Sequence, residues 1–140
     1  FREAFRYFNT FGGNPVSCAA ALAVLDELEE KALPDHAARV GAYAQERLSA
    51  LHQKHEAIGD IRGEGMLFGA ELVTDRSTKE PATALTTKVF NTMRQRGFLM
   101  SSLGRAKNTL KIRPPMPFAQ EHAEMLFDTL DEVLTQLAPS

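Results

Sequence analysis

The chain has 140 residues, 44% hydrophobic and 24% charged, with 16 Lys and Arg against 18 Asp and Glu. That is the make-up of one globular domain able to bury a core without staples, and a net charge of -2 leaves no basic footprint for nucleic acid. One cysteine forbids an internal disulfide and fits a reducing cytoplasm, and the longest mainly apolar run, 16–25, is too short to cross a bilayer.

The opening FREAFRYFNT is aromatic and without clear period, and reads as an irregular lead-in. No secretory signal is visible. The first residue is Phe1 rather than Met, which leads us to expect part of a longer gene product. Asn14-Pro15 then marks a helix start. Asn is a good N-cap, and Pro at the first helical position lacks only an N–H that would be unpaired anyway. Residues 16–25 are apolar on every side, the pattern of a helix buried all round, before DELEEK turns to solvent. So apolar a helix calls for a neighbour beyond this chain. Cys18 in this helix is expected in a core. Pro34 breaks the first helix and opens a second. There Ala37, Val40, Gly41, Ala44, Leu48 and Leu51 recur at helical spacing to about His55.

The grammar changes at IGDIRGEGMLFGAELV, two strands around a glycine-containing turn. TDRSTKEP reads as a loop. Residues 82–96 form a third helix through Leu85, Val89, Phe90 and Met93, ended by Gly97. Residues 98–100 read as a third strand, SSLGRAKN as a loop and TLKIR as a fourth strand. Pro114, Pro115 and Pro117 stop further pairing. Residues 121–137 close the chain as an amphipathic helix with Met125, Leu126, Thr129, Leu130, Val133 and Leu137 on one side. The expected class is α/β (α+β). Two helices lead into a small, mostly antiparallel sheet of about four strands covered by helices, with 1–56 and 57–140 as separate parts.

Three places carry possible chemistry. In TFGGNP the glycines let backbone approach a ligand, Thr10 offers a hydroxyl, and the helix start presents free N–H groups. The stretch is either a phosphate cradle or a capped turn. Lys111 and Arg113 alternate with Leu110 and Ile112, so they share one strand face. They form either an anion site or a solvent face. Arg62 pairs with Asp60 or Glu64. His36, His52, His55 and His122 show no metal-ligand pattern and are expected on the surface.

FNTFGGNPVSCAAALAVLDELEE, then IGDIRGEGMLFGAELV, KEPA and LKIRPPMPF, resemble in this order the class III aminotransferases, pyridoxal-phosphate (PLP) enzymes of fold type I. The wording is most similar to the subgroup of alanine–glyoxylate aminotransferase 2-like proteins and phospho-lyases. The resemblance implies the C-terminal part of a homodimer that moves an amino group between an amine or amino acid and a 2-oxo acid. Elimination of phosphate from a phosphorylated amine is the alternative. A non-catalytic α/β interaction module is the rival of a different kind. The resemblance further implies that Thr10, with Gly12 and Gly13, meets the cofactor phosphate of the partner subunit. Lys111 stands where the family commonly has the substrate-carboxylate Arg, with Arg113 beside it. The Schiff-base lysine and the Asp under the pyridine nitrogen belong upstream. No catalytic residue is therefore expected in this chain, and the chain alone is expected to be inactive and to hold PLP weakly or not at all.

Overall fold

A computed structural model describes residues 8–138. The chain forms two compact units, Phe1–Leu33 and Pro34–Ser140. In the first, α1 spans Pro15–Glu30. The Asn14 carboxamide accepts the Ser17 N–H at 3.0 Å, which caps one of the orphan donors of the first turn. No residue of α1 is buried, and Val16, Leu22, Val24 and Leu25 are all more than half exposed. The expected all-round burial is therefore not met within this chain, and Cys18 is exposed rather than in a core. The physical reason is that the described part of this unit has no second element to lay against the helix. Most of the lead-in, residues 1–7, lies outside the described residues.

The second unit is built on a sheet. Strands β1 (Ile58–Glu64) and β2 (Leu67–Asp75) form a hairpin, and β5 (Thr109–Ile112) lies beside β2 with β4 (Ser101–Leu103) outside it. A two-residue β3, Glu80–Pro81, pairs with β2 inside the stretch expected as loop. All pairs are antiparallel. The hairpin turns at Gly65-Met66, with Gly65 at φ 55°, a conformation that a side chain disfavours. Phe68, Ala70, Leu72, Leu110 and Ile112 point to one face and are buried there against α2 (Leu33–Lys54), α3 (Thr83–Gln95) and α4 (Gln120–Leu137). The expected small, mostly antiparallel sheet with helices on it is what forms.

Helix α2 buries the stripe read from its spacing, from Ala37 to Leu51. It comes so close to the hairpin that a Cβ on Gly41 would lie 2.3 Å from the Gly65 carbonyl oxygen. Helix α3 ends in a Schellman motif. Gly97, at φ 95°, donates its N–H to the Arg94 carbonyl, and Phe98 N–H reaches the Met93 carbonyl at 2.9 Å. This motif folds Phe98 back onto the core, so 98–100 is not a strand and pairing starts only at Ser101. On α4 the buried stripe is Ala123, Leu126, Phe127, Leu130, Val133 and Leu134. Met125, expected inside, is exposed, because Phe127 and Leu134 fall on the same i, i+3, i+4 stripe and centre it away from Met125.

Buried polar groups tie these elements together. Asn108 donates its amide to the Leu72 carbonyl at 2.9 Å, and its own carbonyl accepts the Leu72 N–H at 2.7 Å and the Thr86 hydroxyl at 3.3 Å. His55, expected on the surface, is buried and bonded at 2.6 Å to Asp131 of α4. Asp131 also accepts from Lys54 at 2.6 Å. The helix spacing puts His55 just past the end of α2, four residues after buried Leu51, which turns it inward. His36 bonds the Phe118 carbonyl at 3.0 Å. Arg62 pairs with Asp60 at 2.9 Å and, across the hairpin, with Glu71 at 2.5 Å rather than Glu64.

Two predictions follow from this packing. Gly41→Ala drives a methyl into backbone and should cost about 1–3 kcal/mol despite its better helix propensity. A urea midpoint equal to or above that of the parent would contradict the close approach. For Asp131, burial raises the carboxyl pKa, but the hydrogen bonds and charges of Lys54 and His55 outweigh it and the net shift is downward. A depressed carboxylate contributes stability that is full above its unfolded pKa and is lost as pH falls through its folded one. Asp131→Asn should therefore destabilise at neutral pH and flatten the acid limb of the stability–pH curve, measured by urea unfolding.

Candidate cofactor and anion sites

The TFGGNP turn is held by short-range bonds. Gly12 N–H donates to the Asn9 carbonyl at 3.3 Å and Asn14 N–H to the Phe11 carbonyl at 3.3 Å. Phe11 N–H reaches the Asn9 side-chain oxygen at 3.2 Å. Asn14 spends its amide nitrogen on the Phe11 carbonyl and the Ser17 hydroxyl. Gly13 adopts φ 78°, where a side chain is strained, and a Cβ on Gly12 would crowd Asn9 at 3.1 Å. The turn itself thus favours glycine at 13, while at 12 a side chain requires only that Asn9 give way. Thr10 is exposed, and its hydroxyl and N–H, like the Gly13 N–H, have no hydrogen-bond partner among the described residues. One hydroxyl and two amides ahead of a helix N-terminus, with no carboxylate between Asn9 and Asn14, are a donor set chemically suited to a phosphate.

The second candidate lies on the sheet face away from the helices. Leu110 and Ile112 point into the core, so Lys111 and, just beyond the strand, Arg113 fall on the opposite side. They line a shallow depression of about 270 Å³ with Leu99, Met100 and Ser101. Register places Gly69 on one side of Lys111 and Ser101 on the other. Neither cation has an ion pair or hydrogen bond among the described residues. The sequence pattern of 101–108 is that of a loop, so it does not single out Ser101. The signal that finds it is the pairing of β4 with β5. Thr10, Gly12 and Gly13 belong to the first unit, and Lys111 and Arg113 to the second. Among the described residues no group of His, Cys, Asp and Glu is arranged to hold a metal, and no helix is long and apolar enough to cross a membrane.

A one-sided antiparallel sheet preceded in the chain by a glycine turn and a capped helix defines a class first: an α/β domain. The family follows from comparison. The class-III aminotransferase model matches residues 4–134, and the chain belongs to that family. It is 44% identical over 131 residues to alanine–glyoxylate aminotransferase 2 homolog 2, mitochondrial, of Arabidopsis thaliana, covering 94% of this chain and 28% of that protein. Its structure superposes with a TM-score of 0.89 on a phospholyase from Arthrobacter in complex with phosphoethanolamine, at 40% identity, covering 97% of this chain and 32% of that one. With an amine transaminase from an uncultivated Pseudomonas species in its PLP-bound form the TM-score is 0.84 at 30% identity, covering 96% and 30%. The chain thus spans about 28% of the length of the curated relative it matches.

Because the side chains of Lys111 and Arg113 have no ion pair or hydrogen bond among the described residues, their removal should cost the fold little. Lys111→Ala and Arg113→Ala should each change unfolding free energy by no more than about 0.5 kcal/mol. By contrast Arg76 donates to the carbonyls of Ile58 at 3.0 Å and of His55 at 2.9 Å, as well as to that of His52. Arg76→Ala should cost about 1–3 kcal/mol through the carbonyls it leaves unpaired. Equal losses at all three positions in a denaturant titration would contradict this division.

Proposed function

We propose that the intact protein is a PLP-dependent class-III aminotransferase that moves an amino group between an amine or amino acid and a 2-oxo acid. The observation that carries the reading is the set of unengaged donors at the TFGGNP turn, in a chain whose family is that of PLP transaminases. Thr10 donates its hydroxyl to the cofactor phosphate, and Gly12 and Gly13 bring the backbone close enough for the amides to share that charge. They do so across a homodimer interface, for the partner's site. Lys111 and Arg113 hold the anionic end of the substrate and fix which way it faces. When bound, PLP supplies the electron sink that makes the substrate's α-proton removable. The lysine that anchors it is assigned to the part of the protein outside residues 1–140, together with the partner of the ring nitrogen.

Residues 1–56 are the edge of the large cofactor domain with its connecting helices, and 57–140 the small domain. The bare apolar surface of α1 supports that placement, since a helix apolar all round is stable only where it is covered. The lone, exposed Cys18 fits the cytoplasm or another reducing compartment, and the Arabidopsis relative is named as mitochondrial.

The test is amine transfer by the purified full-length protein with PLP, an amino donor and a 2-oxo acid. Formation of the matching amino acid is expected. Thr10→Ala should weaken PLP binding about tenfold to hundredfold, the worth of one hydrogen bond to a charged group. The 140-residue chain alone should show no absorbance of lysine-bound cofactor. Its appearance would overturn the assignment of the anchoring lysine.

A further inference from the structure

We propose that the hollow where the end of β2, the start of α3 and the end of α4 meet binds a small monocarboxylic acid with an apolar body, whose charged end is held by Lys88. The hollow measures about 690 Å³, within the roughly 300–1,000 Å³ of sites that take small ligands. Its lining is mostly apolar, with Val73 and Ala82 buried and Leu85 and Leu137 half-buried. Hydrogen bonds fix its backbone. The Val73 N–H donates to the Ala57 carbonyl at 2.8 Å, and the Ala82 N–H to the Leu72 carbonyl at 3.0 Å. A preformed apolar hollow of this kind takes up hydrocarbon with little ordering cost.

Charge selects the sign of the ligand. Ala84 and Leu85 stand four and three residues before Lys88, so the three share the face of α3 that lines the hollow. Lys88 has no ion pair or hydrogen bond among the described residues. The one acid in the lining, Glu56, is paired at 3.4 Å with Arg76, which is outside the lining. Lys88 is therefore the single uncompensated charge at the hollow. The α3 macrodipole adds to it, since Ala82 offers no capping side chain and the Thr83 hydroxyl is spent on the Ala106 carbonyl at 2.7 Å. One cation beside an apolar floor suits one carboxylate on a short hydrocarbon. An amine meets like charge, an alcohol leaves Lys88 unanswered, and a second anionic group has no second cation to meet.

None of Thr10, Gly12, Gly13, Lys111 and Arg113 lines this hollow, so the inference is independent of the function proposed above. The experiment is calorimetry of octanoate into the PLP-loaded full-length protein at neutral pH, with acetate, octanol and octylamine for comparison. Octanoate should bind at least about a hundredfold more tightly than acetate, since each buried methylene strengthens binding roughly fourfold. It should bind about tenfold more tightly than octanol, the worth of one hydrogen bond to a charged group. Octylamine should bind more weakly than the alcohol.

Lys88→Gln should weaken octanoate about tenfold and leave octanol unchanged, which separates a lost cation from a lost fold. Lys88→Arg should keep both affinities. Ala84→Phe, at an exposed helix position, should fill the hollow and weaken octanoate and octanol alike. Lys111→Met and Arg113→Met should leave octanoate affinity unchanged, which separates the hollow from the cations of the sheet. No binding of octanoate, an affinity no better than that of octylamine, or an affinity indifferent to Lys88→Gln or to Ala84→Phe overturns the proposal. So does an affinity lost in Lys111→Met and Arg113→Met.

Discussion

The alternation of one short strand sets both the core and the chemistry of the second unit. In β5, Leu110 is fully buried and Ile112 nearly so, at 0% and 3% exposure, and no register of the strand can bury both without turning Lys111 to the other face. The strand is pinned on two sides, to β2 and β4, and Asn108 at its head bonds Leu72 and Thr86 from within the core. A slip of one residue would bury a lysine and break that bracket together. The Pro114-Pro115 pair then ends the strand while Arg113 is still on the open side. The cations are consequently placed by hydrophobic burial, although they contribute nothing to it.

The same logic explains why the helices gather on one side. Gly41 lets α2 meet the hairpin turn backbone to backbone, an approach any larger residue would block. The pairs Arg47–Asp128 at 2.5 Å, His55–Asp131 at 2.6 Å and Arg96–Glu132 at 2.5 Å join α2 and the α3 terminus to successive turns of α4. The outer sheet face mixes Gly69, Ser101, Glu71 and Lys111 with the exposed Leu67 and Leu103. The leading unit is different in kind. Its turn is fully specified by local bonds, yet its helix has nothing of its own to bury against. That is the expected condition of a stretch whose neighbours lie in a longer polypeptide.

Much of this was legible because the determinants are local. Asn14-Pro15, the α2 stripe and the Gly97 stop each act through a few neighbouring residues. The α/β class and the open-face position of Lys111 follow from simple periodicities. The failures share one cause, which is that partners distant in sequence decided the outcome. The apolar residues 98–100 look like a strand, but the Schellman motif sends Phe98 to the core instead. His55 looks like a polar surface residue until Asp131, from 76 positions away, meets it. Met125 was placed inside by spacing, and Phe127 displaced it. Ser101 acquires a role only through the strand opposite it. Cys18 and the rest of α1 read as core because their composition is that of a core, while no other described element of their unit covers them.

The central claim is that Thr10 serves a cofactor bound in another subunit, and mixing two disabled full-length variants tests it directly. One carries Thr10→Asp, and the other lacks the cofactor-anchoring lysine. After subunit exchange, a mixed dimer has one site with both an intact lysine and an intact Thr10 only if Thr10 acts across the interface. Recovery of amine transfer on mixing is the predicted result. A mixture as inactive as its two parents, with exchange confirmed, would contradict the account.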